Sequence, residues 1–153
     1  MSYYWTVRVR PATPDDIPWL LTQLRAFAAE HPIGPRLLGS DAHAEALLGT
    51  LLATQFVAIA DEQGQPLGLL AGAIAPHPFN PDLMVATELA WFVSEPHRKG
   101  KAGLALLNAY EMWAEANADV SVFTLEAQSP VSDRTLTKRG YELAERQFSK
   151  VYS

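Results

Sequence analysis

The stretch VSEPHRKGKAGLALL, residues 93–107, leaves a β-like run and finishes in a helix-like one. Between the two stand His97, Arg98, Lys99, Gly100, Lys101 and Gly103. The first N–H groups of a helix have no intrahelical acceptor and are partly positive. An anion placed there gains several hydrogen bonds at once. Glycines let the backbone turn sharply and approach a phosphate closely. Arg98 to Leu104 therefore reads as a phosphate cradle, with Arg98, Lys99, Gly100, Lys101, Ala102, Gly103 and Leu104 as its contacts. A surface turn with solvated cations at a helix start has the same ingredients. Two nucleotide motifs are excluded. A P-loop needs Ser or Thr after Lys101 and a glycine at position 95, where Ala102 and Glu95 stand. A dinucleotide fingerprint needs another glycine spacing, earlier in the chain.

Working outward, the segment TVRVR alternates and reads as a first strand. Thr13, Asp15 and Asp16 offer helix caps, and Ile17, Leu20, Leu21, Leu24, Phe27 and Ala28 follow at helical spacing. Pro18 places the helix start at Asp15 or Asp16. HPIGPRLLGS is a loop, and Ser40 or Asp41 caps a second helix to about Ala53. QFVAIADEQGQPLGLLAGAIA reads as strand, turn, strand, and PHPFNPD as a proline-rich loop. LMVATELAWFV is apolar on both faces, which suits a central strand. After the opening stretch comes a helix with Leu106, Tyr110 and Trp113 on one face, then the strand VSVFTLEA. A short helix is stopped by Gly140, and ELAERQFSKVY is β-like. The expected fold is α/β, a mixed sheet flanked by about four helices, in the order β-α-α-β-β-β-α-β-α-β. The strands on either side of the opening stretch should run parallel.

The chain has 153 residues, enough for one domain over 1–153 and a real core. Hydrophobic residues are 48% and charged residues 19%, a globular balance. There is no cysteine, so neither disulfides nor thiol chemistry arise. No signal peptide or spanning segment is read, so the expected location is the cytoplasm, with no membrane partner. The net charge of −5 disfavours nucleic acid and suits a cationic partner such as an amine, although plain solubility explains it as well. His31, His43, His77 and His97 have no metal-ligand spacing, so no metal is expected.

The opening stretch resembles the central motif of the GNAT acetyltransferase superfamily, V-x-P-x-x-[RQ]-x-x-G-x-[GA] between strand and helix. Val93, Arg98 and Gly103 match it, and LALL resembles the usual helix start. Pro96 comes one place late, and Lys101 replaces the first motif glycine while Gly100 sits one place early. VRVRPATPDD and LTKRGYEL resemble the family's usual opening and closing segments, so the likeness extends over nearly the whole chain. Residues 97–115 also resemble family members from bacteriophage and prophage genomes.

The resemblance implies acetyl-CoA as acyl donor and an amine, of a small molecule or a protein, as acceptor. It implies a pyrophosphate on the turn Arg98–Leu104. It implies a pantetheine arm between splayed strands, held by the backbone of Trp91, Phe92 and Val93. An N–H near Val93 would polarise the thioester carbonyl. An alkylammonium with a pKa near ~10 must lose a proton before it attacks. Glu88 is the candidate base, because an ionisable residue inside an apolar strand needs a reason. A salt-bridged Glu at the sheet's mouth is the plainer alternative. Glu126 is a second candidate, with a solvated strand end as its plainer account. Many relatives place an acid tyrosine where Leu136 stands, and a CoA-contacting asparagine where Ser129 stands. Tyr141, Tyr110 or Ser129 are substitutes for the acid, Tyr110 reading first as core. Ile33, Arg36 and Leu37 are candidate acceptor contacts. His77 and Phe79 lie on a loop that either covers the acceptor or is a rigid turn. Trp5, Trp19, Trp91 and Trp113 read as packing aromatics. The altered motif also fits a binding module that keeps the fold without catalysis. Relatives are often dimers, and ERQFSKVYS offers a strand for pairing with a second chain.

Overall fold

The computed structural model describes residues 6–126 and 129–152. Trp5, and Ala127 at the end of the predicted strand VSVFTLEA, lie outside the described residues. The elements are β1 (Arg8–Pro11), α1 (Ile17–Glu30), α2 (Asp41–Thr54), β2 (Phe56–Glu62), β3 (Gln65–His77), β4 (Asn80–Val93), α3 (Ala102–Asn117), β5 (Val120–Val122) and α4 (Asp133–Thr137). The sheet order is β1-β2-β3-β4-β5. The first four strands pair antiparallel, and β5 runs parallel to β4.

Local chemistry explains the boundaries. The Ser40 hydroxyl accepts from the His43 N–H at 3.2 Å and caps α2. Pro18 falls in the first turn of α1, where a missing N–H costs nothing. Arg10 donates to both Asp16 (2.8 and 2.9 Å) and Asp61 (3.0 Å), fastening β1 to β2 and to the start of α1. That guanidinium holds the Asp16 carboxyl down at about 2. The β2–β3 turn puts Gln63 and Gly64 at φ +56 and +79, a left-handed pair that matches strand twist. Gly140, at φ +91, ends the chain's last helical turn.

Two apolar layers sandwich the sheet. One side buries Ala58, Leu67, Leu70 and Ala86 against Leu106, Leu107 and Tyr110 of α3. The other buries Val57, Ile59, Leu69 and Ala90 against Leu20 of α1 and Leu48 and Leu51 of α2. Each fully buried leucine contributes about 1.5–3 kcal/mol. Two glycines of β3 let the layers close. A Cβ on Gly72 would stand 2.8 Å from the Tyr110 ring. One on Gly68 would stand 2.8 Å from the Phe92 carbonyl oxygen and 3.0 Å from the Val93 Cα. The Gly68 obstacles are backbone, so β3 and β4 must separate to admit a methyl. Gly68→Ala is expected to lower stability by about 1–3 kcal/mol, read as a drop in melting temperature.

Two expectations need correction. Among the described residues the sheet has five strands and not the expected six: Glu142–Tyr152 is exposed throughout and joins no ladder. The segment reads as β-like, but it finds no neighbour among the described residues. PHPFNPD is not simply a loop. β3 runs through Pro76 to His77, and β4 begins at Asn80, so the segment is the tip of a long hairpin. The register shifts between Pro76 and His77, and an irregular ladder tolerates prolines.

Candidate active site

β4 and β5 stay together for three pairs, Val85–Val120, Ala86–Ser121 and Thr87–Val122. Beyond them the strands part. From Glu88 to Val93, β4 has no β5 partner among the described residues, so one backbone edge lies open. At the fork β4 carries a bulge. Gly72 pairs with Glu88 and Ala71 with Ala90, leaving Leu89 without a β3 partner. Glu88 sits at this fork, only 9% exposed. Burial pushes its carboxyl up to about 8. The main-chain N–H of Thr124, just past β5, pulls it partly back, and Glu126 adds a smaller push upward. One oxygen of Glu126 is itself buried with no partner among the described residues.

Beyond the open edge lies the turn that opened the sequence. A short 3-10 turn, Glu95–His97, leads into it. The first main-chain bond involving α3 runs from the Ala105 N–H to the Lys101 carbonyl at 3.0 Å. The N–H groups of Lys101, Ala102, Gly103 and Leu104 therefore have no main-chain acceptor among the described residues. Lys99, Gly100, Lys101 and Leu104 are exposed, and Ala102 is buried beneath them. Trp91 supports the turn from below: its indole N–H donates to the Gly103 carbonyl at 3.2 Å. A Cβ on Gly103 would point at the same indole, 3.4 Å away.

Arg98 has a different setting from its neighbours. Its guanidinium donates to both oxygens of Glu30 (3.0 and 2.9 Å) and to the Val93 carbonyl (2.8 Å). It also lies 5.1 Å over the Phe92 ring. Arg98 is thus committed to the C-terminal end of α1 and to the last residues of β4. Ser94 extends this seam through Gln23 of α1 at 3.2 Å, and Phe27 meets Phe92 edge-on.

The remaining candidates scatter. Leu136 packs into the α3-side core, so the place of the usual acid is apolar. Ser129 accepts from the Val131 N–H at 3.2 Å. Tyr110 is fully buried, and burial pushes its hydroxyl up to about 12. Glu88 and Tyr141 both act on that hydroxyl electrostatically, which places the three in one neighbourhood. The Ser121 hydroxyl stands 3.4 Å from each of the tyrosine hydroxyls. Burial raises Tyr141 as well, so its hydroxyl keeps its proton at neutral pH. Arg36 and Leu37 lie on the turn Gly34–Leu37, with Ile33 just before it. A hollow of about 240 Å³ between α1 and α2 is lined by Leu21, Arg25, Pro35, Leu38 and Asp41, not by those three. Phe79 is 94% exposed at the β3–β4 hairpin tip, its N–H bonded to the His77 ring.

The model of the acetyltransferase (GNAT) family matches residues 20–141. The chain belongs to the GNAT family. Solved GNAT-fold structures superimpose over almost its full length. A predicted acetyltransferase with acetyl-CoA from Clostridium acetobutylicum gives a TM-score of 0.75 at 16% identity, covering 95% of this chain and 96% of its own. A GCN5-related N-acetyltransferase from Ralstonia eutropha gives 0.73 at 22% identity, covering 96% and 99%. A ribosomal-protein-alanine N-acetyltransferase from Brucella melitensis gives 0.68 at 18%, covering 97% and 99%. At these identities the likeness shows the fold. No curated protein matches the chain by sequence. Among the described residues no helix is long and apolar enough to cross a membrane. Nor does any group of His, Cys, Asp and Glu there have the placement to hold a metal ion.

Membership in the GNAT family makes acyl-CoA-dependent acetyl transfer the general activity. Three residues that the motif did not point to stand at the candidate site of this GNAT chain. Thr124 faces Glu88 across the fork, Leu89 makes the bulge, and Glu30 captures Arg98. None of the three had a signal in the sequence: Leu89 lies in a run that is apolar on both faces, and Thr124 and Glu30 are defined by partners distant along the chain.

Proposed function

We propose that this chain moves the acetyl group of acetyl-CoA to a primary amine of a small molecule or a protein, with Glu88 as general base. The observation that carries the reading is Glu88 itself. It is a buried carboxyl at the fork where β4 and β5 part, raised to about 8. A base with that affinity holds a proton well at neutral pH yet is partly ionised there.

The chain's residues fit the donor in two ways. The free N–H groups of Lys101–Leu104, with the charges of Lys99 and Lys101, suit a pyrophosphate, and Gly100, Ala102 and Gly103 keep the turn low. The open edge of β4 offers the main-chain groups of Trp91 and the N–H of Val93 to an amide-bearing pantetheine arm, while Phe92 between them is paired to β3 and the Val93 carbonyl is held by Arg98. Arg98 serves here by locking the turn to α1, and Ser129 is proposed as a donor contact from the resemblance alone. Acetyl-CoA supplies an activated thioester. The ammonium acceptor gives its proton to the Glu88 carboxylate, directly or through water. The amine nitrogen then bonds to the carbonyl carbon and releases its second proton to solvent as the C–S bond breaks, and the thiolate takes a proton from solvent or from Tyr141, which solvent reprotonates.

Calorimetric titration with acetyl-CoA, with ATP and NAD as controls, tests the donor site. Micromolar binding of acetyl-CoA alone is the expected result, and absence of binding overturns the reading. Release of free CoA thiol across a panel of amines then tests transfer. One observation favours a second reading, a GNAT-fold binding module without turnover: Leu136 fills the usual acid's place with packing. That reading predicts acetyl-CoA binding with no thiol released by any amine.

A further inference from the structure

A base that takes a proton in every turnover must also lose it. Glu88 is 9% exposed before any substrate is bound, and a donor arm and an amine in the cleft would cover what remains. Its inner side is not apolar. Glu88 pairs with Gly72 across the β3–β4 ladder, so the two positions share one face of the sheet. Gly72 has no side chain, and Tyr110 of α3 takes the space. Its Cε2 lies 2.8 Å from where a Gly72 Cβ would stand. The phenol therefore lies beside the Glu88 side chain.

The Tyr110 hydroxyl begins a file of polar groups through the α3-side layer. It donates to the Val122 carbonyl at 3.3 Å. The Ser121 hydroxyl stands 3.4 Å from it and 3.4 Å from the Tyr141 hydroxyl. Beyond Tyr141 comes Glu111 of α3, whose charge acts on that hydroxyl. Glu111 Oε1 is buried and has no hydrogen-bond partner among the described residues. Its Oε2 accepts from Arg139 at 2.8 Å, and both of these side chains reach solvent. Packing alone does not call for this file. The surrounding layer is Ala86, Leu106, Leu107, Phe123 and Leu136, and Phe or Ala would fill the same places. Each buried hydroxyl costs free energy unless it is hydrogen-bonded.

We propose that Tyr110, Ser121, Tyr141 and Glu111 carry the proton of Glu88 to solvent beside Arg139 while substrates close the fork. This rests on the reading of Glu88 as the base. The Glu88 carboxyl gives its proton to the Tyr110 oxygen as Tyr110 passes its own to Ser121. Ser121 passes its proton to Tyr141, and Tyr141 passes its proton to Oε1 of Glu111, which releases it to water. One O–H bond forms and one breaks at each hydroxyl, so none is left charged. Burial holds the Tyr110 hydroxyl up at about 12, so the transfers move together and not through a tyrosinate. The hydroxyls then rotate back. Glu126 is the other carboxyl that acts on Glu88, and it offers the rival exit.

Stopped-flow infrared spectroscopy of the chain with coenzyme A bound tests this. The pH is stepped from below to above about 8, and loss of the Glu88 carboxylic-acid band is followed, with Glu88→Gln assigning the band. Tyr141→Phe, Ser121→Ala and Glu111→Gln are each expected to slow that loss about tenfold or more in the complex. In the free protein, where the fork is open, the same variants should match the wild type. A purely structural role would shift the midpoint of the titration and leave the rate in the complex unchanged. Equal rates in the complex overturn the relay, and so does slowing by Glu126→Gln alone. Calorimetry on the same samples separates the two readings. A chain that binds no coenzyme A, or a Glu88 band that never appears, sinks the functional reading and the relay with it. Binding and a titrating band with unslowed variants sink the relay alone.

Discussion

Glu88→Gln is expected to lower kcat/KM by about two to three orders of magnitude while acetyl-CoA affinity stays unchanged. The wild-type rate should climb with pH and level off above about 8, where the Glu88 carboxyl becomes ionised. The variant should lack that limb and show only the acceptor amine's own titration. Equal turnover in the two proteins removes Glu88 from the chemistry. The same substitution has a second consequence that needs no substrate. The folded chain favours the neutral carboxyl, raised from 4.5 to about 8, so it binds a proton that the unfolded chain releases. That contribution to stability is complete below pH 4.5 and is lost as the pH rises through about 8. At ~1.4 kcal/mol per pH unit the loss is about 3–5 kcal/mol. Gln has no charge to bury and keeps an oxygen toward the Thr124 N–H. The variant should therefore match the wild type near pH 5 and exceed it by a few kcal/mol at pH 9 in urea melts. Parallel stability curves across that range would show that the carboxyl is not desolvated at the fork.

Gly103→Val should weaken acetyl-CoA binding by about tenfold to a hundredfold, and Gly103→Ala should leave it nearly intact. The contrast comes from the direction of the missing side chain. A Cβ at Gly103 meets the Trp91 ring at 3.4 Å, a contact that a methyl group can make with a shift of a few tenths of an ångström. A branched side chain cannot, and must displace the indole that donates to the Gly103 carbonyl. Overpacking of this kind costs about 1–3 kcal/mol, and it falls on the first turn of α3, whose free N–H groups form the cradle. Calorimetry on the three proteins reads the effect. Equal affinities would mean that the turn does not hold the phosphates.

The parts of this fold that were legible in the sequence are those determined by neighbours along the chain. Ser40 before α2, Gly140 after α4, the apolar spacing of α1 and α3, and the turn between β2 and β3 all act within a few residues. The parts that were not legible depend on contacts distant in sequence. Arg98 stands among cations in a turn and reads as an anion ligand, but Glu30 reaches it from the far end of α1. Glu88 was conspicuous as a charge in an apolar strand, whereas Thr124, which faces it, looked like any strand residue. Glu142–Tyr152 reads as β-like, but a ladder needs a partner, and the composition of one segment does not name one. The prolines around Phe79 suggested a loop because their tolerance in a hairpin depends on where its ladder slips.

The bulge at Leu89 makes β4 two strands of opposite parity. Before it, Ala86 points into the α3 layer; after it, Trp91 and Val93 do, while Ala90 and Phe92 face α1 and α2. Even positions serve one layer upstream and the other layer downstream. Excising Leu89 would restore simple alternation and leave Ala90, Trp91, Phe92 and Val93 on the faces they already occupy. What it would change is a distance: the carboxyl at the fork would come one residue closer to the indole under the cradle. The bulge therefore acts as a spacer, and it holds the fork farther from the turn that starts α3 than a regular strand of the same register would.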